Sequence, residues 1–155
     1  MRQNFHVFFL IIRKLFCNLR NVKTLLAMNK EKFNIEYVFD NVSRSSLWNH
    51  ITTSRGLSSW FAEKVSIKNN VYTFMWNKDE MKARAELIKQ KEQIRYCLET
   101  ENDGPFSYFE FSIHTLELTG TTSLQITDFA EPSEKEDAID LWDSQIHALK
   151  RSLGI

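Results

Sequence analysis

The chain has 155 residues, no formal net charge, 43% hydrophobic residues and 13% aromatic residues, which is the size and apolar content of a single globular domain. The zero net charge is the sum of two parts. Residues 1–27, which we call the leader, contain five Lys or Arg and no acidic residue. In residues 28–155 the acidic side chains outnumber the basic ones by five. Because this domain is mildly acidic, its overall charge argues against binding to nucleic acid or to an anionic membrane.

The leader contains an apolar run, Phe5–Ile12, that is followed at once by Arg13 and Lys14. This run is far shorter than the ~20 residues that span a bilayer, and no small-residue cleavage site of a signal peptide follows it. Two interpretations stay open. Either translation begins at Met28 and the leader is not part of the native protein, or the leader is a disordered or helical segment that anchors the chain on a membrane surface. In both cases we expect the folded domain at residues 28–155.

The first predicted elements of this domain are a strand and two short helices. Phe33, Ile35, Tyr37 and Phe39 alternate with polar residues, as in a half-buried strand. Ser43 is a suitable N-cap for a first helix at residues 47–51. The sequence Ser54-Arg55-Gly56 is predicted to be the turn before a second helix at residues 57–61.

Six further strands follow, and their short connections predict antiparallel neighbours. Their apolar alternation covers residues 65–67, 71–76, 81–87, 94–98, 109–113 and 124–126. Asn69-Asn70 predicts a hairpin turn because asparagine tolerates positive φ, and Asn102–Pro105 is a second strong turn signal. The inward-facing positions then shift to Leu116 and Leu118, which predicts a β-bulge near His114.

Residues 133–155 carry the longest helical pattern in the chain. Ser133 and Glu136 have the spacing of a capping box, and Lys150 and Arg151 in the last turn complement the helix dipole. The apolar stripe consists of Ile139, Trp142, Ile146, Leu149 and Leu153. The predicted order is thus one strand, two helices, six strands and a long helix. This order predicts an α+β domain in which the long helix covers a curved antiparallel sheet, with a pocket between the helix and the sheet.

Two segments also resemble a known family. Residues 47–61 (LWNHITTSRGLSSWF) resemble the VW-x-x-(L/I)-T-D-P-x-x-L-x-x-W signature of START-like domains, in the branch with polyketide cyclases and the activator of the ninety-kilodalton heat-shock ATPase. Residues 141–153 resemble the closing helix of those proteins. Thr53-Ser54 replace Asp-Pro, and Leu141 replaces a Gly. The resemblance implies the helix-grip fold (β-α-α-β6-α) over residues 31–154, with an apolar cavity between the sheet and the last helix.

The residues that would face this cavity are the candidate ligand-binding residues. Trp142 lies in the middle of the helix stripe, and Gln145 is the nearest polar residue, hence the candidate hydrogen-bonding handle. The predicted ligand-binding residues are Trp60, Phe74, Trp76, Tyr96, Phe111, Ile113, Trp142, Gln145, Ile146 and Leu149. Packing into a solid core explains each of them as well, so the sequence leaves pocket and core open.

Motifs for chemistry are scarce. Cys17 and Cys97 are far apart, no histidine has a second ligand at metal spacing, and no GxSxG or glycine-rich phosphate loop occurs. We therefore expect free thiols, no metal, no cofactor and a cytoplasmic location. Glu110 and His114 lie four residues apart on one strand face and are candidates for an acid–base pair, with Tyr96 as a third group, although a solvated polar face explains the first two.

The sequence therefore predicts the binding of a hydrophobic small molecule or lipid, and no nucleic-acid partner or transmembrane segment. Two alternatives remain. The first is an enzyme of the cyclase or dehydratase type. The second is a module that acts on a protein partner, or pairs with a second copy of itself.

Overall fold

The computed structural model describes residues 29–99, 108–116 and 118–155. The leader and the predicted turn at residues 102–105 lie outside the described residues. The elements follow the predicted order. They are β1 (Glu31–Phe39), α1 (Arg44–Thr52), α2 (Ser54–Ser58), β2 (Lys64–Lys68), β3 (Val71–Trp76), β4 (Asp79–Lys89), β5 (Gln93–Leu98), β6 (Tyr108–Thr115), β7 (Thr122–Ala130), a 3-10 turn (Pro132–Glu134) and α3 (Lys135–Leu153).

Seven strands form one antiparallel sheet in the order β1-β7-β6-β5-β4-β3-β2. Strands β2 to β7 form a meander, and β1 pairs along its whole length with β7, from Glu31 opposite Ala130 to Phe39 opposite Thr122. The long helix α3 packs its apolar stripe on the inner face of the sheet, where Trp142, Ile146 and Leu149 are buried. The predicted α+β helix-grip architecture is confirmed.

The second of the two short helices differs from the prediction. Ser43 caps α1 as expected, since its Oγ accepts from the backbone N–H of Ser46 at 3.1 Å. However, α2 spans Ser54–Ser58 instead of residues 57–61, so Gly56 lies inside it and the bend between the helices is at Thr53. A Cβ at Gly56 would lie 2.1 Å from the carbonyl oxygen of Asn49, so the glycine is needed for the close approach of α2 to α1 rather than for a turn.

The start of α3 also corrects the prediction. Glu134 is the N-cap and makes no side-chain capping bond, while Ser133 lies in the preceding 3-10 turn. The predicted capping box of Ser133 and Glu136 is therefore wrong. At the C-terminus of α3, Gly154 adopts φ 83° and donates its N–H to the carbonyl groups of Lys150 and Arg151.

The predicted bulge near His114 is wrong as well. Strand β6 stays in register with β7 up to the pair Thr115–Thr122. Leu116 and Leu118 do not face the core but belong to the following turn, where their side chains are 53% and 101% exposed. Apolar residues in a turn had extended the strand pattern beyond the end of the strand.

Three hairpin turns lie together at one end of the sheet, which we call the hairpin end. They are Asn69–Asn70, Gln90–Glu92 and the turn that joins β6 to β7. Both asparagines of the first turn have positive φ, as predicted. The C-terminal half of α3 lies at this end too, because the ammonium group of Lys150 is 5.4 Å from the ring centre of Phe39, the last residue of β1.

Candidate functional site

The predicted ligand-binding residues all converge between the sheet and α3. Every one of the ten is buried, with exposed fractions from 0% to 3%. Six of them come from strands and the α2–β2 connection, and four come from α3. The structure therefore brings together the side chains that the sequence singled out, but burial alone does not say whether they line a space or fill it.

The aromatic rings in this region touch one another. Phe61, from the segment between α2 and β2, is the central ring. Its centre lies 5.0–6.5 Å from those of Trp60, Phe74, Trp76, Phe109, Phe111 and Trp142. These are the distances of direct ring packing, so no ligand fits between Phe61 and its neighbours without moving them.

The polar atoms of the core aromatics are bonded within the protein. Three consecutive carbonyl groups at the end of α1 accept these bonds. The indole N–H of Trp60 donates to His50 at 2.9 Å, the hydroxyl of Tyr96 to Ile51 at 2.6 Å, and the hydroxyl of Tyr72 to Thr52 at 2.9 Å. Burial raises the pKa of both tyrosines, so both remain neutral donors.

The other two buried indoles also donate to groups of the protein. Trp76 donates its N–H to the carbonyl oxygen of Phe61, and Trp142 donates to the carboxylate of Asp128, both at 2.9 Å. Gln145, the predicted polar handle, is 3% exposed on the sheet-facing side of α3. The core aromatics therefore do not present their polar atoms to a ligand in this arrangement.

Three central residues were absent from the predicted set. Phe61 and Phe109 complete the ring cluster, and Asp128 supplies a carboxylate that is only 6% exposed. The period-two pattern could have identified Asp128, because it continues the inward parity of Leu124 and Ile126 in β7. Phe61 could not be assigned in this way, since it lies in an irregular segment between elements.

The candidate acid–base groups are not brought together. Glu110 faces the outer side of the sheet, where Gln93 and Arg95 donate to its carboxylate at 2.7 and 2.8 Å. His114 is exposed four residues further along the same strand, roughly 13 Å away at 3.3 Å per residue. Tyr96 faces the core on the opposite side of the sheet. These three groups thus do not form a common site.

Two open depressions are formed by described residues. One of about 400 Å³ lies between residues 29–31 and residues 131–133. The other, of about 620 Å³, lies at the hairpin end between residues 40–43 and residues 119–121. Neither is lined by a predicted ligand-binding residue.

The hairpin end carries the exposed apolar side chains. Each large hydrophobic residue that is strongly exposed in the described part of the chain lies there, in a turn, at the nearby end of a strand, or at the end of the chain after α3. These residues are Val38, Ile67, Leu87, Ile88, Leu116, Leu118 and Ile155, with exposed fractions of 41% to 101%. Single exposed apolar residues are common on proteins, but their restriction to one end marks a candidate contact surface.

Among the described residues no helix is both long and apolar enough to cross a membrane. The same part of the chain holds no group of three or more His, Cys, Asp or Glu side chains placed to bind a metal ion.

Comparisons with known proteins agree with the architecture. The family model of the START-like superfamily domain matches residues 27–155. A protein from Bacteroides fragilis, solved by NMR, is 37% identical, with a TM-score of 0.62 over 83% of this chain and 94% of the other. The Aha1 dimer from Colwellia psychrerythraea has 15% identity and a TM-score of 0.67 over 81% and 97% of the two chains.

A Bacillus halodurans protein is likewise similar in fold, with 15% identity and a TM-score of 0.60 over 79% of this chain and 96% of its own. No curated protein matches the sequence. The START-like fold commonly binds ligands, and these comparisons name no ligand for this one. The matched family model and the helix-grip sheet together establish that the chain belongs to the START-like superfamily.

Proposed function

We propose that this START-like domain is a binding module that contacts an apolar partner through its hairpin end, while its interior is a packed core. The observation that supports this proposal is a contrast. The rings between the sheet and α3 contact one another and bond their polar atoms internally, whereas the strongly exposed apolar side chains of the described chain gather at one end.

An interior ligand would have to displace part of this core. Phe61 packs against rings from β3, β6 and α3 at 5.0–6.2 Å. Removing a buried phenylalanine side chain costs about 3–5 kcal/mol, which indicates the free energy that a ligand must recover if it takes the place of this ring.

At the hairpin end, by contrast, a partner can contact exposed side chains without displacing any part of the core. Leu118 is fully exposed, and Leu87 and Ile88 are about half exposed. Removing apolar surface from water stabilises a complex by roughly 25 cal/mol per Å². Contact at this end therefore gains free energy without breaking internal contacts.

The predicted interior ligand remains the second candidate. It is supported by the convergence of the ten predicted residues between the sheet and α3 and by the ligand binding that is common in the START-like fold. Binding of a hydrophobic small molecule or lipid there requires the rings around Phe61 to move apart.

Two measurements on the full-length protein separate the candidates. In the first, purified protein is extracted with organic solvent and the extract is analysed by mass spectrometry. We expect no stoichiometric compound. A reproducible hydrophobic compound that is lost in a folded Trp142→Ala variant would instead favour the interior ligand.

The second measurement is retention on a phenyl resin. Replacing Ile88 and Leu118 with serine should shorten retention, because both side chains are more than half exposed. The control is Lys78→Ser, at an exposed turn on the opposite end of the sheet. Equal retention of the wild-type protein and the Ile88→Ser/Leu118→Ser variant would contradict binding through the hairpin end.

A further inference from the structure

We propose that the apolar partner of the hairpin end is the surface of an anionic lipid membrane. This inference rests on the proposed function and adds the chemical class of the partner. Its evidence is the combination of apolar side chains and lysines at the end of the β4–β5 hairpin.

The β4–β5 hairpin extends beyond the β2–β3 turn. The backbone N–H of Ala85 in β4 donates to the carbonyl oxygen of Asn70 in the first turn at 2.8 Å, so this turn lies beside β4 roughly 13 Å before the end of the strand, at 3.3 Å per residue. Leu87 and Ile88, on the part of β4 that projects, are 47% and 51% exposed. Two apolar side chains thus project from the end of the β4–β5 hairpin.

The backbone of β4 is irregular where these side chains emerge. The register shifts between Glu86 and Lys89, and Leu87 has a φ of 48°. This left-handed conformation costs roughly 1–2 kcal/mol for a residue with a side chain. The irregularity ends the strand alternation and leaves two consecutive apolar residues, Leu87 and Ile88, exposed at the end of this hairpin instead of one.

Lysines flank these apolar residues. Lys89 and Lys91 follow Ile88, and Lys68 precedes the turn of the neighbouring β2–β3 hairpin; all three are exposed. One acidic residue, Glu92, lies in the β4–β5 turn, and the carboxylate of Glu86 accepts from the thiol of Cys97 at 3.3 Å on the outer face of the sheet. The domain is acidic overall, but these positions on the two hairpins carry three basic and two acidic groups.

This pattern fits a membrane surface better than a second copy of the chain. Apolar side chains that enter the headgroup region, with lysines beside them at the level of the phosphates, are the features of interfacial binding. Each lysine near an anionic surface contributes about 1 kcal/mol, or roughly fivefold in affinity. A symmetric dimer through the end of the β4–β5 hairpin would instead place lysines near lysines.

The leader is a second segment with the same composition. Its apolar run Phe5–Ile12 and its five basic residues resemble a membrane-surface segment in sequence.

The test uses the full chain and vesicles of phosphatidylcholine, with or without 30% phosphatidylglycerol, in a co-sedimentation assay. We expect binding that depends on the anionic lipid. Lys89→Glu/Lys91→Glu should lower the partition coefficient by about tenfold or more. The matched control is Lys64→Glu/Lys78→Glu, which makes the same change of charge at exposed positions on the opposite end and should change binding less than twofold.

A fluorescent reporter separates the hairpin end from the leader. Ile88 is 51% exposed at the end of the β4–β5 hairpin, so an Ile88→Trp variant should emit like tryptophan in water and shift to shorter wavelength on anionic vesicles. Trp60, Trp76 and Trp142 are already buried, so their emission should not shift, and Trp48, which is partly exposed, is replaced by phenylalanine in the reporter variant. Vesicle binding without this shift would mean that the leader alone binds lipid, and would overturn the proposal.

Other outcomes also decide the question. Absence of vesicle binding, or equal loss in the charge-matched control, overturns the lipid proposal. If phenyl-resin retention still depends on Ile88 and Leu118, the proposed function survives and the partner is a protein. A dimer in solution that Ile88→Ser dissociates, without any lipid, would identify that protein as a second copy of the chain.

Discussion

The packing around Phe61 makes a quantitative prediction about the interior. Phe61→Ala removes a fully buried ring that contacts rings on β3, β6 and α3. The loss combines the transfer free energy of the ring with the cost of the cavity left behind. We expect the free energy of unfolding to fall by about 3–5 kcal/mol, a large share of the 5–15 kcal/mol typical of a domain.

Thermal and denaturant unfolding measure this loss. For a chain of this size, 1 kcal/mol corresponds to about 2–4 °C in Tm, so the melting temperature of the variant should fall by about 6–20 °C. The slope of the denaturant curve should stay unchanged if the variant keeps the native fold.

The variant should also gain a property that the wild-type protein lacks. A cavity lined by apolar rings stays dry and accepts a small aromatic molecule. Indole at ten times its dissociation constant should then stabilise Phe61→Ala by about 1.4 kcal/mol and raise its Tm by a few degrees. The wild-type Tm should not change, because its rings are already in contact.

Phe33→Ala is the matched control. Phe33 is also buried, at 5% exposure, but it lies on the edge strand β1, so its loss should destabilise the protein without producing an enclosed indole site. Two results would refute the reasoning. One is a rise in the wild-type Tm with indole, which would reveal a space already present. The other is a loss below about 1 kcal/mol in Phe61→Ala, which would show that the ring is not packed.

Further predictions concern local contacts. Gly56→Ala should lower the free energy of unfolding by at least about 1–3 kcal/mol, because its Cβ would lie 2.1 Å from the carbonyl oxygen of Asn49. Gly120 has a φ of 67° but no atom within 4 Å of such a Cβ, so Gly120→Ala should lower the free energy of unfolding by only about 1 kcal/mol. Urea titration measures both losses. Trp142→Phe removes the indole donor from the buried carboxylate of Asp128 and should cost about 1–3 kcal/mol; a second change, Asp128→Asn, should then cost less than it does in the wild-type protein, as a double-mutant cycle would show. Burial, and then the hydrogen bond to Asp143, raise the pKa of Tyr37 above its usual 10.0, so the folded state holds this proton more tightly than the unfolded state. Stability from Tyr37 should be complete below pH 10 and decline above it. Tyr37→Phe should reduce the loss of unfolding free energy between pH 9 and pH 11 (roughly one unit either side of the usual tyrosine pKa), and the rest of the loss comes from groups such as Tyr72 and Tyr96, whose pKa values are also raised by burial.

The strands could be predicted because alternation is a local property. Phe33, Ile35 and Phe39 on β1 and Leu124 and Ile126 on β7 follow the period of two, and these strands pair as neighbours. The same rule failed at Leu116 and Leu118, because an apolar turn continues the pattern without continuing the strand. The turn begins at Leu116, whose backbone N–H donates to the carbonyl oxygen of Thr121 at 2.9 Å.

The capping box and the role of Gly56 failed for a different reason. Ser133 and Glu136 have the required spacing, but the 3-10 turn that starts at Pro132 moves the first residue of α3 to Lys135. The sequence predicts a turn at Gly56, but the glycine is needed because α1 passes within contact distance of α2. A single sequence shows that a residue such as glycine permits a turn or a close approach. It does not show which neighbouring segment makes that residue necessary.

The candidate site shows the same limit. A pocket and a packed core both require apolar side chains that face inward, so Trp60, Phe111 and Trp142 fit either interpretation. The difference depends on whether Phe61 fills the space between them, and Phe61 lies outside any regular element. Ring distances supply the information that periodicity lacks.

The hydrogen bonds at the end of α1 give a further reason to look for binding at the surface. Entry of a ligand past the short helices would separate Tyr96 from Ile51, Tyr72 from Thr52, and Trp60 from the adjacent turn of α1. A buried polar group left without its partner costs about 1–3 kcal/mol, so several such losses would consume much of the stability of the domain. The same bonds also satisfy carbonyl groups that every helix end leaves without an intrahelical donor. The aromatic core and the short helices therefore hold each other in place, and the interior opens only at the expense of both, whereas contact at the hairpin end disturbs neither.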